Sequence, residues 1–293
     1  MRWTRLAGLS LLGLTPILCG ANGGGCATVP THTYRIERTA LVPLPAPDLN
    51  ARAPGGPAEL EVGDAALLWA SAPTLASGST AGLYVPRHQP TGMLRVPINR
   101  YVHLRFELEL MPTSGAIAVP AGRLDPSPTM GATYGGGVGA GGYVSRRWWL
   151  SGSTDIMAAA IPSAIRTICL DCGPTGGGAT VADTMDYLPV VRLQANVGYN
   201  LGPVEFSASL ALRNHPLNVA DTSAVSTTRP EPDAQLSAGS MMLVPALSVA
   251  WRVCPEVALL ANAYAPIDVS GVGVQYAPVV GLMVSGAIPR IEP

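Results

Sequence analysis

From Val190 to Arg213 apolar and polar positions alternate almost without a break. Val191, Leu193, Ala195, Val197, Tyr199 and Leu201 occupy one set of positions, and Arg192, Gln194, Asn196, Gly198 and Asn200 the other. After Gly202-Pro203 the alternation resumes: Val204, Phe206, Ala208, Leu210 and Leu212 stand against Glu205, Ser207, Ser209 and Arg213. A period of two places successive side chains on opposite faces of a strand, so the segment predicts an antiparallel hairpin with one apolar and one polar face.

The same pattern predicts three further hairpins. Met93–Ile98 leads through Asn99-Arg100 into Tyr101–Leu110, where Val102, Leu104, Phe106, Leu108 and Leu110 oppose His103, Arg105, Glu107 and Glu109. Thr133–Ser145 turns at Arg146-Arg147 into Trp148–Ile156, and Met241–Val253 turns at Cys254-Pro255-Glu256 into Val257–Ala265. A last strand is predicted over about Val274–Ser285, and weaker strand-like stretches over Ala65–Ala70 and Gly82–Val85. Pro245 and Pro278 fall inside predicted strands, where each removes a ladder hydrogen bond, so bulges are expected there.

Connection lengths are sorted. Those within hairpins are short, whereas Met111–Gly131, Met157–Leu188 and Asn214–Ser240 are long and rich in Pro, Gly, Ser and Thr. Short turns at one end and long loops at the other characterise membrane β-barrels. Tyr101, Tyr143, Trp148, Trp149, Tyr199 and Trp251 lie near the short turns, and Tyr134, Tyr187, Tyr264 and Tyr276 near the opposite strand ends, as two interfacial belts would. On these features Gly92–Ser285 resembles the small outer-membrane β-barrels of Gram-negative bacteria. The resemblance implies an all-β, antiparallel up-and-down β-barrel of about 8–10 strands. It also implies a surround of outer-membrane lipid and assembly by the barrel-assembly machinery. We place the barrel domain at residues 59–290.

Composition agrees with a surface that does not all face water. The chain is 48% hydrophobic and 13% charged, against roughly 25% charged in ordinary soluble proteins. The net charge of −1, with no basic run, removes the electrostatic footprint of a nucleic-acid binder. Arg2 and Arg5 followed by the apolar Leu6–Leu18 form a targeting segment, so residues 1–26 are expected to be a signal peptide and the protein to be exported. Gly24-Gly25-Cys26-Ala27 resembles the end of a lipobox and makes Cys26 a lipidation candidate; an ordinary secretory peptide is the alternative. Residues 27–58, with Pro30, Pro43, Pro45, Pro47, Pro54 and Pro57, are expected to be an extended tether.

Candidate chemistry is sparse. Cys169 and Cys172 form a CxxC with no His near them in sequence, so a loop-tip disulfide is expected rather than a metal site. Gly137-Val-Gly-Ala-Gly-Gly142 matches G-x-G-x-x-G, but strand and turn follow it where a dinucleotide site needs a helix. No cofactor is expected. If the apolar face meets lipid, His103, Arg105, Glu107, Glu109, Arg192, Glu205, Arg213 and Arg252 point into the lumen. They could line a pore, but a charge network that plugs a narrow barrel, and that Asp155 could join, is the expectation.

The functional expectation is a barrel without enzymatic activity that makes contacts through its long external loops. An alternative inverts the faces: a lipid-anchored periplasmic or surface barrel carrying an apolar ligand in a dry interior. A third reading, a hydrolase, would use His215 or His103 with loop residues such as Asp221 and Ser223.

Overall fold

A computed structural model of the protein describes residues 32–47, 55–67, 86–112, 130–173, 180–218, 236–270 and 277–288. It also describes the short pieces 74–75, 83–84, 117–119, 122–124, 225–227 and 274–275. Residues 1–26, expected to be a signal peptide, and Tyr276, Asp221 and Ser223 lie outside the described residues.

Strand β1 (His32–Leu41) precedes ten barrel strands: β2 (Ala58–Leu67), β3 (His88–Pro97), β4 (Val102–Met111), β5 (Gly131–Tyr143), β6 (Trp148–Cys169), β7 (Thr180–Leu201), β8 (Val204–Asn218), β9 (Leu236–Cys254), β10 (Val257–Tyr264) and β11 (Val279–Ile288). Each of the ten pairs antiparallel with its neighbours in sequence. The barrel closes where Val279 of β11 meets Leu67 of β2 and Ile288 meets Ala58. Closure leaves no open edge within the ring, which a sheet crossing hydrocarbon requires.

The short turns are built locally. Asn99 Oδ1 accepts hydrogen bonds from the Tyr101 and Val102 amides at 2.8 and 2.9 Å, fixing the β3–β4 turn. Gly202 adopts φ +70° and Pro203 follows it, with Leu201 paired to Val204. That is the arrangement of a type II′ hairpin turn, whose first central residue must reach positive φ. Pro245 causes no register shift: β9 shifts instead between Arg252 and Cys254, and its partner β8 between His215 and Leu217. Pro245 sits where pairing of β9 with β10 ends, at Ala246–Tyr264, so the lost N–H costs no bond in that ladder. Pro278 simply precedes β11.

The faces are decided. Leu193 is 48% exposed and Arg192 is fully buried. Phe206, Leu210, Leu282, Ile156 and Leu104 are likewise exposed on the outer face, and the polar partners of the alternation fill the interior. The inverted reading, with a dry apolar interior for a ligand, is therefore corrected. Tyr101, Tyr143, Trp148 and Trp251 are exposed near the short turns, and Tyr134 and Tyr187 near the opposite ends. Trp149 and Tyr264, assigned by sequence to these belts, are instead buried in the lumen, because each falls on the inward parity of its strand.

The tether expected over residues 27–58 is corrected where the chain is described. His32–Leu41 is a strand that pairs with the distal end of β6, Tyr34 opposite Cys169 and Ala40 opposite Ser163. β5 accompanies β6 only as far as Ala160, so β1 takes the edge that β5 leaves. Val225–Thr227 and Leu83–Tyr84 pair with β1. Together with the extended β6–β7 hairpin they make a small sheet standing beyond the barrel rim at the long-loop end.

Candidate functional site

The lumen holds most of the polar chemistry. Arg192 on β7 donates from Nε to Asp155 Oδ2 at 3.0 Å and from Nη1 to Glu107 Oε1 at 3.3 Å, and its Nη2 also meets Glu107 Oε2. Arg105 on β4 completes the group, with Nη1 3.5 Å from Asp155 Oδ2 and Nη2 3.7 Å from Glu107 Oε2. Two guanidinium groups and two carboxylates thus form a ring across the barrel, and their charges cancel. Closer to the loop end Arg213 donates from Nη1 and Nη2 to the two oxygens of Glu109, both at 3.0 Å. Such bidentate pairs are the strong form of the ion pair.

Backbone parity brings these residues together. Glu107, Glu109, Asp155, Arg192 and Arg213 occupy inward positions on β4, β6, β7 and β8, and Arg192 lies opposite both Asp155 and Arg213 in the ladders. The glycines of β5 make room. A Cβ on Gly137 would run into the Asp155 carboxylate, and one on Gly139 into the His103 ring. The first two glycines of the G-x-G-x-x-G sequence are therefore clearances for lumen side chains, Gly142 faces the exposed Tyr101 ring, and β5 passes directly into a turn and β6. Gly198 does the same for the buried Trp149 indole.

Not all the predicted charges join. His103 lies near the turn end with its Nδ1 3.5 Å from Arg95 Nη2. Glu205 is buried near the same end. Arg252 is a correction: at the extreme end of β9 it is exposed, beyond the packed interior.

Sequence reasoning missed the chain's own contribution to the lumen. Val42, Leu44 and Ala46 are buried inside the barrel mouth. Leu44 and Ala46 pack with Ala65, Val244, Tyr264 and Val279, while Ala40 and Val42 pack with Met157, Ile161 and Val190 across the opening. The Leu44 amide donates to Gln89 Oε1 at 2.7 Å, and Arg213 Nη1 donates to the Ala46 carbonyl at 3.1 Å. Its sequence, Val42-Pro-Leu-Pro-Ala-Pro47, alternates apolar residues with prolines. That reads as linker until the lumen supplies partners.

At the sheet beyond the rim, Cys169 and Cys172 are joined in a disulfide. Folding adds what sequence distance hid: His32 stands beside them, its Nδ1 3.3 Å from Asp171 Oδ1. One ligand atom from each of His32, Cys169, Asp171 and Cys172 lies within 4.8 Å of the others. With the sulfurs bonded to each other they are not thiolates, the form that ligates metal. The Asp171 carboxylate accepts the Thr33 amide at 2.9 and 3.0 Å, and this hydrogen bond is the main reason its pKa lies below the usual carboxylate value.

His215, the histidine of the hydrolase reading, is fully buried opposite Ser240. Ser270 Oγ lies 3.4 Å from Ser240 Oγ and donates to Asp268 Oδ1 at 2.5 Å. A histidine, two serines and an aspartate thus gather at the mouth, a grouping drawn from β8, β9 and the segment after β10.

No family model matches the sequence, and no curated protein does. Nineteen solved chains are similar in structure. LpxR from Salmonella typhimurium is similar over 78% of this chain and 100% of that one, at 6% identity and a TM-score of 0.36. OmpT, an outer membrane protein of Vibrio cholerae, is similar over 88% of this chain and 97% of that one, at 10% identity and a TM-score of 0.17. The expectation of a chain without enzymatic activity is corrected and withdrawn, LpxR being an outer-membrane enzyme. This chain is a closed, ten-stranded antiparallel β-barrel, and the two neighbours are outer-membrane β-barrel proteins.

Proposed function

We propose that the protein is an exported integral barrel of a Gram-negative outer membrane, closed across its lumen, which works at its loop end rather than by passing solutes. The observation that carries this reading is the Arg105–Glu107–Arg192–Asp155 ring lying across the interior beneath the Val42–Ala46 segment. A conducting pore needs a continuous wetted path, and these ion pairs bridge the lumen from β4 to β6 and β7. The surface left for binding or chemistry is the sheet beyond the rim, with the His215–Ser240–Asp268 grouping at its base.

On this reading the signal peptide is cleaved before Cys26, which is acylated as the new N-terminal residue, and the barrel-assembly machinery inserts the strands. The apolar outer belt supports insertion, since placing charge on a lipid-facing position costs about 2–4 kcal/mol at midplane. The test is fractionation followed by electrophoresis and bilayer recording. The protein should stay with outer membranes through carbonate washing, shift in mobility on heating in detergent, and give no conductance steps. Release by carbonate without a heat shift contradicts the integral barrel, and stable ohmic steps contradict the closed lumen.

A further inference from the structure

Resting on that reading, we infer that the N-terminal end of the mature chain lies on the outer face of the membrane, so that an acyl group on Cys26 inserts into the outer leaflet at the cell surface. The segment after β1 is buried in the barrel mouth at the loop end, and β2 begins at the turn end.

Three placements carry the inference. First, Ala46 is inside the lumen at the level of Arg213 and Glu109, near the loop end. Second, Gly55 is at the other mouth: a Cβ on it would lie 3.3 Å from the Arg100 carbonyl in the β3–β4 turn, and Gly55–Pro57 share a small cavity with the lumen residues Arg95 and His103.

Third, β1 stands above the rim. Its pairing with β6 runs from Ala40–Ser163 to Tyr34–Cys169, beyond the point at Ala160 where β5 leaves β6. His32 meets Asp171 at the far tip of the hairpin. From His32 to Cys26 is six residues, at most about 20–22 Å. The lipid-facing band alone is about 25 Å tall, and His32 starts well outside it. An acyl chain on Cys26 therefore cannot reach the periplasmic leaflet, whereas the outer leaflet beside the loops is within range.

The experiment uses the full-length protein in cells. One version carries an epitope between Val29 and Pro30, another the same epitope between Gly173 and Pro174 at the hairpin tip. The native Cys254, a free exposed thiol at the turn end, reports the opposite face through a membrane-impermeant maleimide mapped by mass spectrometry. The inference predicts that both epitopes stain on intact cells as strongly as on permeabilised ones, and that Cys254 is labelled only after permeabilisation. Staining of the hairpin epitope on intact cells with the N-terminal epitope silent overturns the inference and leaves the membrane barrel standing. If Cys254 reacts on intact cells, or neither epitope stains, the membrane reading and its orientation fail, and the inference falls with them. Assembly of each version is verified by its heat shift. Where an epitope abolishes that shift, Thr31→Cys replaces the N-terminal epitope, and its labelling on intact cells is read in the same way.

Discussion

Arg213 and Glu109, 104 residues apart in sequence, meet inside the barrel through two parallel hydrogen bonds of 3.0 Å, and both side chains are fully buried. The same guanidinium holds the Ala46 carbonyl. One residue therefore links the wall on β4, the wall on β8 and the segment that enters the mouth.

Glu109→Ala should destabilise the barrel by about 3–5 kcal/mol, because it leaves a buried guanidinium without its carboxylate. Urea unfolding in lipid vesicles reads the loss. Exchanging the charges, with Glu109→Arg and Arg213→Glu together, should recover part of it, whereas an independent pair of effects would simply add.

The outer face should tolerate no charge near its middle. Leu282, 70% exposed on β11, is such a position. Leu282→Arg is expected to cost about 2–4 kcal/mol in vesicles. Val144→Arg, in the β5–β6 turn, should fall within about 0.5 kcal/mol of the unaltered protein. Equal costs at the two sites would remove the lipid boundary from the account.

Gly198 faces the buried Trp149 ring. Gly198→Val should overpack the turn-end lumen by about 1–3 kcal/mol, read as a lower midpoint in the heat-shift assay. A compensating Trp149→Leu in the same chain should restore most of the loss, since it vacates the volume the valine needs.

The contrast between what sequence revealed and concealed is physical. Strand faces were legible because a one-sided environment writes a period of two, as at Arg192–Leu193, and loop sorting was legible from length alone. The first barrel strand, Ala58–Leu67, is anticipated only over Ala65–Leu67, because Asp64 on the outward set and apolar Ala65 and Leu67 on the inward set break its alternation. Val42–Pro47 was unreadable for a different reason. Prolines exclude ladder pairing, and nothing local to that segment announces that its partners are Gln89 and Arg213. The approach of His32 to the Cys169–Cys172 pair depends on β1 crossing to a hairpin tip, which no spacing encodes.

The attachment of β1 to that tip should depend on pH. Asp171 has a lowered pKa, chiefly through the Thr33 amide. The contribution is therefore complete above the ordinary Asp value, about 4, and is lost as pH falls through the lowered value. Hydrogen exchange at the Thr33 amide should be slow and level from pH 7 to about 5 after correction for the intrinsic rate. It should lose protection below about pH 4. Asp171→Asn should abolish this pH dependence.

The central claim is that the apolar face of the wall meets lipid, and a nitroxide at residue 193 tests it most directly. In a Cys254→Ser background, Leu193→Cys is spin-labelled and the protein is reconstituted in vesicles. Relaxation of the label is then compared with oxygen, which concentrates in hydrocarbon, and with a neutral nickel chelate, which stays in water. The account predicts strong relaxation by oxygen and almost none by nickel. The reverse order would place Leu193 in water and contradict the membrane barrel.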